Sequence, residues 1–75
     1  MLPAGVKRAV VLGLGVSGMA VVHFLQSRGV ETAVSEYRPY AALGEEEQKL
    51  VDTLACETGG HSEDFVLRGD IIVAS

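Results

Sequence analysis

A chain of 75 residues has room for one small domain and no more, and at that size only about 60% of the unfolded surface is buried, so stability is marginal. The 48% apolar content argues for a packed core over disorder, and the formal charge of −4 argues against a nucleic-acid surface, which needs clustered Lys and Arg. The single Cys56 leaves no internal disulfide and suits a reducing compartment. No run reaches the roughly 18 apolar residues of a membrane helix, and Met1 to Gly5 lacks the charged start and apolar run of a signal peptide. The expectation is a soluble, cytoplasmic protein with no membrane insertion and no nucleic-acid partner.

Lys7 to Leu12 is the first expected strand. Ala9, Val10, Val11 and Leu12 are apolar on both faces, as in a central parallel strand covered by helices on each side. Val16 to Arg28 follows as a helix, with Gly18, Val21, Val22 and Leu25 at helical spacing toward the sheet, and Gly29 ends it. Glu31 to Ser35 is a short second strand, expected to end in an exposed stretch, Glu36-Tyr37-Arg38, before Pro39 forbids a ladder. Gly44 to Ala55 is the second helix, with the stripe Leu43, Leu50, Val51, Leu54 and Ala55. Its acidic run Glu45-Glu46-Glu47 sits at the positive end of the helix dipole, where it stabilises the first turn. Glu45 and Lys49 form an i,i+4 pair.

Cys56-Glu57-Thr58 reads as a brief edge strand. Ser62 caps a helical turn through Phe65, Val66 and Leu67, and Arg68-Gly69-Asp70 ends it. Ile71 to Ala74 is expected to be a fully buried strand. Strand and helix alternating in this way give an α/β fold, a Rossmann-like doubly wound parallel sheet of about four strands in the order 3-2-1-4.

Residues 10–20 contain three glycines spaced G-x-G-x-x-G, between a strand and a helix. Gly13 permits the bend, Gly15 lets a phosphate approach the backbone, and Gly18 lets the helix lie against the sheet. The helix start directs unpaired N–H groups and a positive dipole end at the turn, which favours an anion. Glu36, eighteen residues after Gly18, stands near the offset at which an acid meets a ribose or base edge, and Arg38 is in reach of a phosphate or base. These residues predict nucleotide binding without naming the nucleotide. One alternative is an NAD(P)-binding Rossmann domain of an oxidoreductase or redox-sensing regulator. Another is an interaction module whose glycines serve only helix–sheet packing.

The run from Ala9 to Gly18 resembles the opening of the Mur ligases, the MurD type above all. The similarity continues through Phe24-Leu25, Arg28-Gly29-Val30, Glu36-Tyr37-Arg38 and Asp70 to Ser75. It covers almost the whole chain, least distinctively over Tyr40 to Glu57, and is specific in the combination of segments. The family continues with Pro-Gly after the last serine. The chain therefore reads as residues 1–75 of a longer ligase, a single N-terminal UDP-binding domain truncated at its C-terminus.

The resemblance implies a peptidoglycan-building, ATP-dependent amide ligase of the bacterial cytoplasm, with ATP and Mg used by the longer protein and no cofactor held by this segment. ATP phosphorylates the carboxylate of UDP-N-acetylmuramoyl-L-alanine, and the amine of D-glutamate attacks the acyl phosphate. The N-terminal domain holds the UDP end. Carried over by residue, Gly15, Val16, Ser17 and Gly18 would touch the uridine diphosphate through backbone N–H groups and the Ser17 hydroxyl, and Glu36 the uracil or ribose, where an Asp is common in the family. Tyr37 and Arg38 would flank the base or phosphate, and Ser75 would border the crevice.

No G-x-x-x-x-G-K-[ST] phosphate loop occurs in the 75 residues, so no catalytic residue is expected here. His23 and His61 read as solvated surface histidines with no metal role, Cys56 as a half-buried small residue, and Tyr40 as packing or loop. Removing Glu36 is expected to weaken nucleotide binding with little cost in stability. A bare parallel edge at the last strand predicts concentration-dependent self-association.

Overall fold

Arg8–Leu12 forms β1, at the centre of a four-stranded sheet, because Ala9, Val10 and Val11 give it two apolar faces, and all three are fully buried. The computed structural model describes residues 5–74. After β1 come α1 (Val16–Ser27), β2 (Glu31–Glu36), a 3-10 turn (Tyr40–Ala42), α2 (Glu45–Val51), β3 (Ala55–Thr58), α3 (Glu63–Val66) and β4 (Ile71–Ala74). The sheet order is β3-β2-β1-β4 with every pair parallel, as the alternation predicts.

Register divides the side chains between two unequal faces, because residues opposite one another share a face and neighbours alternate. Ala9, Val11 and Val34 pack with Val22 and Leu25 of α1, Val51 of α2, and Leu14, Val30 and Leu43. These residues are buried. The other face carries Val10, Ala33, Ala55 and Ile72, in register with one another, and Phe65 of α3 shares a cavity of about 140 Å³ with Ala33 and Ala55. A helix of four residues covers little of a sheet, and β4 lies at its edge. The fully buried strand expected at Ile71 to Ala74 is therefore corrected: Ile72 and Ala74 are exposed, and Ile71 and Val73 only half-buried.

Two helix limits also move. α1 stops at Ser27, with Arg28 as its cap. α2 ends four residues before Ala55: Thr53 and Leu54 N–H groups donate to the Leu50 and Val51 carbonyls, a tightened turn, and Ala55 then pairs with Ala33 in extended backbone. A residue cannot serve the helix and the ladder together, and the ladder wins. The cap at Ser62 is as expected, its hydroxyl accepting from Phe65 N–H at 3.3 Å.

Asp70 fastens β4 to β1. Its carboxylate accepts from the Lys7 and Arg8 N–H groups at 2.8 and 3.0 Å, and its own N–H donates to the Arg8 carbonyl at 2.8 Å. Gly69 beside it lies so close to β1 that a Cβ there would fall 2.8 Å from a Val10 methyl. No helix among the described residues is long and apolar enough to cross a membrane.

Candidate functional site

The carboxyl ends of β1, β2 and β3 lie along one edge of the sheet, and the loops that follow them gather there. Gly13 leaves β1 at φ 89°, a conformation that favours glycine, and its N–H donates to the Ser35 carbonyl at 2.9 Å. The first bond of α1 runs from Met19 N–H to the Gly15 carbonyl at 2.9 Å, so Val16, Ser17 and Gly18 have no partner inside the helix for their N–H groups. Val16 is 90% exposed, Ser17 is exposed and Gly18 is buried toward the sheet.

Gly15 differs from Gly13. It caps α1 at φ −99° and ψ −160°, extended backbone open to any residue, and a Cβ built on it would meet nothing within 4 Å. Neither conformation nor packing inside the chain asks for glycine there.

Glu36 departs from expectation. It is the last residue of β2, only 4% exposed, and its carboxylate is fully engaged within the chain. Leu14 N–H donates to Oε1 at 2.7 Å, Arg38 N–H to Oε2 at 2.7 Å, and the Arg38 guanidinium reaches both oxygens at 3.1 and 3.2 Å. Burial pushes this carboxyl up, but the Arg38 side chain, its N–H and the Leu14 N–H together outweigh burial and hold it at about 2. The exposed strand end is corrected because the turn folds back over β2 and supplies Leu14 N–H to the side chain.

Arg38 Nη2 also donates to the Leu14 carbonyl at 2.8 Å and to Glu47 at 2.9 Å. Glu47 in turn accepts from Gly44 N–H at 2.8 Å, so it lies below the usual carboxylate range, through Arg38 first and Gly44 second. One guanidinium thus ties the glycine turn, the end of β2 and the start of α2 together. Within the run of three glutamates, Glu47 has a specific structural task; Glu45 and Glu46 only lie 3.7 Å from Lys49 at the surface. The sequence cue was its place three residues into the helix, where a side chain reaches back to the cap.

Tyr37 is 73% exposed beside these residues, its ring 6.4 Å from that of His61 and tilted by 41°. His61 is exposed, as expected of a surface histidine, yet it is held: Nδ1 hydrogen-bonds with Ser35 Oγ. Ser35, fully buried, donates to Glu57 at 2.7 Å, and Glu57 accepts from Ser62 N–H at 2.8 Å. Nothing in the sequence marked Ser35, Glu57 and His61 as a group. Tyr40 sits in the 3-10 turn, its hydroxyl donating to Asp52 at 3.1 Å.

The structure therefore brings Gly15, Val16, Ser17, Gly18, Glu36, Tyr37 and Arg38 to one edge, while Ser75 lies outside the described residues. Among the described residues no group of three or more His, Cys, Asp or Glu is placed to hold a metal ion.

The family described as Mur ligase MurD-like, N-terminal domain, matches residues 7–75. Among curated relatives, proteins named UDP-N-acetylmuramoylalanine–D-glutamate ligase are similar over 92% of this chain. They include those of Acidobacterium capsulatum at 40% identity, Koribacter versatilis at 41% and Photorhabdus laumondii at 36%. The chain spans 15 to 16% of the length of these relatives. With a match that runs from the start of β1 past the end of β4, and with the glycine turn and the sheet order in place, the chain belongs to the MurD-like N-terminal domain family of the Mur ligases.

Proposed function

We propose that this chain binds the uridine diphosphate end of UDP-N-acetylmuramoyl-L-alanine. The longer protein of which it is the first domain then joins D-glutamate to that substrate in bacterial cytoplasm, using ATP and Mg held by other domains. The observation that carries this reading is Gly15: a glycine required by nothing in the chain, exposed at the mouth of unpaired helix N–H groups, leaves room for a phosphate against the backbone. The relatives' name supplies the choice of a UDP-linked substrate over NAD(P).

In this reading Gly15, Val16, Ser17 and Gly18 hold the diphosphate. Tyr37 and Ser75 border the nucleoside. Glu36 and Arg38 shape the turn from behind, since their polar atoms are committed to Leu14 and Glu47. The domain contributes no reacting group; binding energy spent here positions the far end of the substrate elsewhere. The chain by itself is inactive as a ligase.

Amide-resolved titration with UDP, UDP-N-acetylmuramoyl-L-alanine, NAD and NADP tests it. Saturable shifts at residues 15–18 with the two UDP compounds are expected, and saturation by NAD with no response to either UDP compound overturns it. Separately, β3 and β4 are the outer strands among the described residues, and we propose concentration-dependent self-association through β4. Sedimentation of a strict monomer at high concentration would exclude that.

A further inference from the structure

The carboxyl edge of the sheet carries a second loop besides the glycine turn. The loop after β3 is pinned to the end of β2, with Gly59 N–H donating to the Arg38 carbonyl at 2.9 Å and Gly60 N–H to the Glu36 carbonyl at 3.3 Å. His61 follows, lining a shallow depression of about 270 Å³ with Glu57, Thr58, Gly59, Gly60 and Ser62.

The hydrogen-bond directions in this loop are fixed by chemistry. Glu57 lies below the usual carboxylate range, held there first by Ser62 N–H, with burial opposing and Ser35 assisting; it is ionised and only accepts. The single hydroxyl proton of Ser35 therefore goes to Glu57, and Ser35 Oγ accepts from His61 Nδ1–H. In the neutral ring that leaves Nε2 as a lone-pair acceptor. Among the described residues no hydrogen bond reaches it.

We propose that His61 is a specificity-determining residue of the nucleotide site, presenting Nε2, beside the ring of Tyr37, as an acceptor for an N–H or O–H donor of the bound nucleoside. This rests on the reading that the glycine turn holds a uridine diphosphate. Phosphate oxygens are themselves acceptors and are repelled by a lone pair, so the group facing His61 must carry donors. A uridine diphosphate has them in the ribose hydroxyls and the ring N3–H of uracil. Ser35 is a positioning residue, acting through the histidine it orients.

The test titrates the whole chain, wild type and His61→Phe, with UDP, pyrophosphate, 2′-deoxy-UDP, 3′-deoxy-UDP and N3-methyl-UDP. His61→Phe keeps a ring and removes the acceptor at an exposed position. It is expected to weaken UDP roughly three- to tenfold, the scale of one hydrogen bond, and to leave pyrophosphate unchanged. One analogue should bind the wild type weaker by the same factor and bind the variant no worse than UDP does, which identifies the donor. Nitrogen-resolved spectra should show His61 as the Nδ1–H tautomer, with Ser35→Ala abolishing that preference. Unchanged UDP affinity in His61→Phe, an equal loss for pyrophosphate, no matching analogue, or an Nε2–H tautomer would each overturn the proposal while the glycine-turn reading stands. A wild type that takes up no UDP overturns both.

Discussion

Ser35 and Glu36 are neighbours on β2 that point to opposite faces of the sheet, and they anchor two clusters of different character. Glu36 is enclosed in a set of charges and N–H groups that satisfies it completely, and no oxygen of it is left for a ligand. Ser35 is as deeply buried, but its chain of hydrogen bonds runs outward and ends on an exposed ring. The first cluster closes on itself; the second, in our proposal, presents a ring to a ligand. An acid at the end of the second strand is thus no proof of a ligand contact; what matters is whether the chain has already used its oxygens.

The largest effect should come from breaking the enclosed cluster. Glu36→Ala strips Arg38 and Leu14 N–H of their partner and should cost on the order of 3 kcal/mol in urea unfolding. A loss below about 1 kcal/mol would return Glu36 to the class of exposed strand ends. Acid should act on the same bond. With the folded carboxyl held at about 2 against an ordinary 4.5, its stabilisation is complete above about 4.5 and drains away as pH falls toward 2. Glu36→Gln should flatten that part of the stability–pH curve.

Gly69→Ala tests the face of the sheet on which the second cluster stands. The added Cβ meets a Val10 methyl and the Val10 backbone, and should cost roughly 1–3 kcal/mol; an unchanged melting temperature would show that β4 yields easily. Ser35→Ala should cost only about 1 kcal/mol, because Glu57 keeps Ser62 N–H and His61 can turn to water. Faster amide exchange in the loop after β3, with none near Leu14, would separate the two clusters. The smallest change in stability is expected for Gly15→Ser, within about 0.5 kcal/mol since nothing crowds the position. Its UDP affinity should nevertheless fall further than that of His61→Phe. Destabilisation without loss of binding would mean the glycine serves the fold after all.

Much of this molecule was legible in its residues. Both-face apolar runs located β1, the Gly13–Gly18 spacing located the turn and the start of α1, and strand–helix alternation yielded the sheet order. Less visible was how exposed β4 is left at the edge of the sheet, since an apolar run such as Ile71 to Ala74 reads alike whether both faces are covered or one. The stripe through Ala55 likewise extended α2 beyond its end, because periodicity cannot weigh a helix turn against a ladder bond.

What the sequence determined by itself is local: backbone hydrogen bonds within helices and turns join near neighbours, so their periods are written in consecutive residues. What only the tertiary structure decided is the use of the polar groups at the sheet edge. Leu14 meets Glu36 across 22 positions, Ser35 meets Glu57 across 22 and His61 across 26. Those partners are chosen by strand register and by the path of loops over the sheet, and spacing along the chain does not encode either.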